Sequence, residues 1–176
     1  VGKSYQQHFG QRGSAYDRAM LQFPAARQQE FEQVIAAAQL SPNMTVAYVP
    51  AGGGYLRPYL PAGVVYLAHE PCASFTNHGA VPGTITRERF FLDQGTLNEL
   101  EHAGFIIEQC HRNDFHWSFP DRQSMAAFCH QLFDIQKSTP ADTLRSIETQ
   151  LGVTENTDGS VGMHWSLMTI AAVTPC

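Results

Sequence analysis

The hydrophobic pattern divides the chain into segments of two periods. From Ala25 to Leu40 the apolar positions Phe31, Val34, Ile35 and Ala38 recur at helical spacing, which predicts an amphipathic helix stopped by Ser41-Pro42-Asn43. An apolar strand at Thr45–Val49 then runs into Pro50-Ala51-Gly52-Gly53-Gly54. The next helix is short, because Pro58 fits only in a first turn and Leu60-Pro61-Ala62-Gly63 ends it. Val64–Ala68 is apolar throughout, as expected of a parallel strand covered on both faces, and it leads to His69-Glu70.

Periodicity weakens from Pro71 to Arg89. It resumes at Thr96-Leu97-Asn98-Glu99, a capping-box pattern opening a helix with Leu97, Leu100 and Ala103 inward and Gly104 as its stop. Phe105–Cys110 reads as a strand, and Phe119-Pro120-Asp121 as the start of a helix with Met125, Phe128, Cys129, Leu132 and Phe133 on one face. Thr139-Pro140 opens another helix, Thr at the N-cap and Pro at the first helical position, with Leu144, Ile147 and Leu151 inward. Met163–Val173 is a long final strand. Residues 1–24 are polar and Gly/Gln-rich, with Tyr5, Phe9, Tyr16 and Phe23 spaced through them; they read as a loosely ordered arm packing its aromatics on the domain, 25–176.

The 176 residues suffice for one domain, and 43% hydrophobic with 15% charged content is that of a folded globular chain. A net charge of -5 with scattered basic residues gives no electrostatic case for nucleic acid. No apolar run approaches the ~20 residues of a membrane helix. The first residues lack the apolar core of a signal peptide. Cys72, Cys110, Cys129 and Cys176 show no CxxC pair, so the expectation is reduced thiols in a cytoplasm.

Two features carry chemistry. A glycine turn after a parallel strand lets backbone approach a ligand closely, and amides opening the following helix can face an anion. An acid at the tip of the next strand, here Glu70, accepts hydrogen bonds from a ribose diol. It lies closer to the glycines than the ~20 residues of a dinucleotide site, which disfavours a nicotinamide-dependent reductase. The cluster Phe115-His116-Trp117-Ser118-Phe119-Pro120, read as a loop between strand and helix, either lines an apolar substrate pocket, with His116 as a general base, or closes one end of the core. Cys110, His111, Asp114 and His116 have ligand chemistry but no standard zinc spacing, so no metal is expected. Cys110 or Cys129 with His116 or His164 makes a chemically possible nucleophilic pair without an activating context.

With these residues the chain resembles the class I S-adenosylmethionine-dependent methyltransferases over roughly residues 14–75 and 88–175. Val46–Tyr55 looks like their first motif and Glu70 like the acid ending their second strand. Leu97–Phe105 resembles the family's helix, Ala-Gly-Phe, strand segment, and Gly162–Leu167 its last strand. The resemblance implies an α/β, Rossmann-like, mostly parallel sheet flanked by helices with an antiparallel last strand. It also implies S-adenosylmethionine as methyl donor and a small-molecule acceptor, with Tyr48, Pro50, Ala51, Gly52, Gly53, Gly54 and Glu70 binding the donor and Tyr16 and Phe23 covering its mouth. Two positions depart from the family: Tyr48 stands where an acid is usual and Pro50 where Gly is usual. Tyr48 cannot supply that negative charge, which is one reason to set a degenerate binding or scaffold subunit beside the enzyme.

The sheet is also incomplete. The residues between Glu70 and Leu97 are fewer than the ~30 that a single βαβ unit requires, and no apolar run between Ala73 and Arg89 suggests a buried strand. Three arrangements accommodate this gap or deletion around 73–89: further residues in the natural protein, a last strand that pairs directly with the first, or an edge supplied by a second copy in a homodimer.

Overall fold

In the computed structural model, residues 5–49, 51–70, 81–82 and 94–175 are described. Pro50, Cys72, Cys176 and most of 73–89 therefore lie outside the described residues. The elements in chain order are α1 (Tyr5–Gln22), α2 (Gln28–Ala38), β1 (Thr45–Tyr48), a 3-10 turn (Arg57–Tyr59), β2 (Val65–Glu70), β3 (Val81–Pro82), α3 (Gln94–His102), β4 (Ile106–Phe119), α4 (Arg122–Leu132), α5 (Pro140–Gln150), β5 (Val153–Glu155) and β6 (Val161–Val173). No described helix is long and apolar enough to cross a membrane.

The class is α/β, but the strands form two small sheets. One is parallel, in the order β1-β2-β3; the other is antiparallel, in the order β4-β6-β5. β1 and β2 pair from Thr45 opposite Val65 to Tyr48 opposite Ala68. β3 adds two residues beside His69 and Glu70, a short parallel strand in a stretch expected to hold none. β6 lies antiparallel as expected, yet it pairs with β4 and β5. A direct pairing of last strand with first is therefore not what the described residues show.

The residues expected to form a loose arm form an 18-residue helix instead. Glycine and glutamine lower its intrinsic propensity, but Ala19 and Met20 are buried, and tertiary burial overrides propensity. Arg12 donates to the Leu132 carbonyl at the end of α4, and Phe23 meets Phe119 and Phe128 edge-on. Phe23 is therefore half-buried against the core.

β4 is the second difference. It extends well past Cys110 to Phe119, so the aromatic cluster is strand and not loop. Phe115, Trp117 and Phe119 are buried while His116 and Ser118 point to the other face, the period of two that a half-buried strand requires. The polar run His111–Asp114 hides that alternation in the sequence.

The core lies where β4, β6, α1, α2, α4 and α5 meet, around Phe128, Met125, Trp117, Phe119, Ile147 and Met163. α4 begins with Asp121 accepting from the Ser124 N–H at 2.7 Å. α5 begins with a reciprocal box, the Asp142 N–H to Thr139 Oγ1 and the Thr139 N–H to Asp142 Oδ2. By contrast Thr96 lies inside α3, which already starts at Gln94, so the box expected there does not cap its first turn. Its end is as expected: the Gly104 and Phe105 amides bond back to the Glu101 and Leu100 carbonyls, closing the helix.

Candidate functional site

The glycine turn sits at the carboxyl end of β1, and Glu70 at the carboxyl end of the adjacent β2. The structure brings them into direct contact: the Gly52 N–H donates to Glu70 Oε2 at 2.7 Å. Gly52 and Gly54 have φ of +52° and +77°, a conformation that a Cβ would strain. The turn also satisfies its own amides. The Ala51 N–H goes to the His69 carbonyl and the Gly54 N–H to the Ala51 carbonyl, each at 2.9 Å. Glu70 is fully buried, so its carboxylate ties β2 to the turn. The anion facing the Gly52 amide is thus the chain's own.

Tyr48 points inward beside Tyr66, ring centroids 6.5 Å apart. Burial first, and Tyr16 second, pushes its phenol above the ordinary value, so it stands as a neutral group.

A charged cluster that sequence reasoning missed lies next to it. Arg27 grips Glu30 with two nitrogens, Nε to Oε2 at 2.8 Å and Nη2 to Oε1. Its Nη1 donates to the Tyr16 hydroxyl. The guanidinium lies over the rings of Phe31 and Trp117, and the Trp117 indole N–H donates to Glu30 Oε2 at 3.0 Å. Burial alone would lower the Arg27 pKa, but the oxygens of Tyr16 and Glu30 more than offset it and hold it raised. Arg27 and Glu30 stand one helical turn apart, and Glu30 adjoins the inward Phe31. That spacing was the available signal, but charged residues on a helix usually face solvent.

Asp17 and Tyr55 were missed for a similar reason. The Tyr55 hydroxyl donates to Asp17 Oδ1, which joins α1 to the glycine turn across 38 residues of chain.

His116 belongs to a different place. It lies opposite His164 in the β4/β6 register, ring centroids 4.7 Å apart, and His164 Nε2 is 2.8 Å from Thr154 Oγ1. Both line an open cleft of about 790 Å³ with Arg112, Asp114, Gln150 and Ser166. None of the glycine-turn residues line that cleft, so the structure does not bring His116 to the glycines and Glu70.

The other reactive groups are also dispersed. Cys110 and His116 share one strand, six residues or about 20 Å apart at ~3.4 Å per residue. Cys129 is buried with its Sγ 3.7 Å from Met163 Sδ, and burial pushes its thiol up to about 12, far from a nucleophilic thiolate. Among the described residues no three His, Cys, Asp or Glu side chains gather as metal ligands.

No protein-family model matches the chain, nor does any curated protein sequence.

Proposed function

We propose that this chain is a Rossmann-like domain that binds S-adenosylmethionine at the glycine turn and transfers its methyl group to a small-molecule acceptor in the cytoplasm. The observation that carries this reading is the Gly52 N–H to Glu70 hydrogen bond. It joins a glycine turn and an acid at the ends of two adjacent parallel strands, the pairing of backbone cradle and carboxylate that a ribose requires. Beside the turn, Asp17 is held by Tyr55, and Arg27 and Glu30 are held by each other.

The donor supplies a methyl group on a cationic sulfur, displaced in line by an acceptor lone pair. What the chain contributes is binding, orientation and exclusion of water, and proximity alone can account for a large rate factor. His116 is the chain's best candidate for a base, although it opens into the separate cleft lined by His164.

A second reading, a degenerate binding or scaffold subunit without catalysis, is favoured by one specific observation. Glu70 is fully buried, so a ribose reaches it only by displacing the atoms that cover it.

Calorimetry with S-adenosylmethionine and S-adenosylhomocysteine tests the proposal. Binding that Glu70→Ala weakens by about tenfold or more, on the order of one charge-assisted hydrogen bond, supports it. Absence of heat at millimolar ligand overturns it.

A further inference from the structure

Tyr55 occupies the face of the turn that the glycines leave bare. A Cβ placed on Gly53 would lie 2.5 Å from both Cζ and the hydroxyl oxygen of Tyr55, so the absence of a side chain at 53 makes room for the chain's own ring. Tyr55 is held from two further directions. Its hydroxyl donates to Asp17 of α1, and its ring leans on Tyr16, centroids 6.1 Å apart and tilted by 45°. Tyr16 in turn accepts from Arg27. The backbone of the turn is fixed separately, by Glu70, His69 and Ala51. The Tyr55 ring can therefore rotate away about its own side-chain bonds, on the nanosecond scale typical of rotamers once its hydrogen bond breaks, without unfolding the turn.

We propose that Tyr55 is a gate on the glycine turn, latched by Asp17, and that a nucleoside ligand enters only when the ring swings out and α1 loosens with it. The proposal rests on the nucleoside-binding reading above. It deepens that reading by coupling occupancy of the turn to the packing of α1: a ligand that displaces Tyr55 must also release the Asp17 tie.

Two measurements on the full chain test it, using Tyr55→Ala, Tyr55→Phe and Asp17→Ala. In hydrogen exchange without added ligand, amides of α1 should lose protection several-fold in Tyr55→Ala and Asp17→Ala, while those of Ala51, Gly52 and Gly54 keep theirs. In calorimetry with S-adenosylhomocysteine, Tyr55→Ala should bind about tenfold tighter than the parent and Tyr55→Phe by an intermediate factor. Unchanged α1 exchange in Asp17→Ala overturns the latch. Binding of S-adenosylhomocysteine that neither Tyr55 variant tightens overturns the gate alone. Absence of binding in the parent and every variant overturns the nucleoside reading, and the gate with it. Tyr55→Phe keeps the ring and loses only the hydroxyl, so the test stands even where Tyr55→Ala disturbs folding.

Discussion

The two sheets solve the same packing problem in opposite ways. In β4-β6-β5 the last five residues of β4 alternate, with Phe115, Trp117 and Phe119 buried. Trp117, Phe119 and Met163 are buried against α4 and α5, while His116, Ser118 and His164 take the other face. In β1-β2 the inward positions Tyr48 and Tyr66 are half-buried, and the other face carries Val65 and Leu67 at 50% and 55% exposure. A parallel sheet is normally covered on both sides. Here the apolar face meets solvent among the described residues, while the other face and the turn after β1 pack Tyr48, Leu56 and Tyr59 on the core. The antiparallel sheet buries its own large side chains, whereas the parallel one reaches the core mainly through the turn after β1, with Leu56 buried and Tyr55 tied to Asp17.

That contrast is breakable. Phe128 is fully buried and meets Trp117 edge-on with centroids 5.6 Å apart. Phe128→Ala should cost about 3–5 kcal/mol in denaturant unfolding, whereas Leu67→Ser should stay within about 0.5 kcal/mol. A large loss at Leu67 would show that its face is covered in solution.

The next effect lies where α1, α2 and β4 meet. Glu30→Ala would leave Arg27 buried beside Trp117 without its carboxylate, at a cost of about 3 kcal/mol. Replacing both residues, Glu30→Leu with Arg27→Met, should recover much of that. If the single and double variants unfold alike, the loss does not come from leaving Arg27 unpaired.

The smallest effect is local to the antiparallel half. Thr139→Ala removes one arm of the α5 box and should cost about 1 kcal/mol. The Thr139 side chain and backbone hold Asp142 below its ordinary value of 3.8. Its contribution is therefore complete above that value and lost as pH falls through the lower folded value. The Thr139→Ala deficit should shrink correspondingly in acid, which thermal melts at pH 6 and below 3.5 would show.

How far this was legible depends on whether a signal was local. Thr139-Pro140 and the face from Met125 to Leu132 carry their meaning within a few residues, and the helices they predict are present. Thr45–Val49 and Val64–Ala68 were recognisable as strands because unbroken apolar runs are short-range signals too. The 24-residue arm failed because its helix depends on α4, more than a hundred residues away, and no local period announces that partner. The β4 aromatics were assigned to a loop because His111–Asp114 interrupts the apolar pattern, while the pairing that makes them a strand comes from β6. At the site, the glycines and Glu70 could be placed together from strand order alone. Arg27, Glu30, Asp17 and Tyr55 could not, since each owes its role to a long-range contact. His116 was grouped with the site by chemistry, and the pleat of β4 turns it to a different face.

One contact also bears on the order in which the chain assembles. The Ser118 N–H, on the edge of β4, donates to the Ala26 carbonyl at 3.0 Å, and the His116 N–H donates to Gln29 Oε1. These bonds occupy donors that an incoming strand would otherwise take. They also close a loop of roughly ninety residues, a larger entropy cost than any pairing within 106–173. The hairpin-like unit of β4, α4, α5, β5 and β6 is therefore expected to condense first. The segment that carries the glycine turn then docks onto a finished edge, and the site is the last part of the molecule to form.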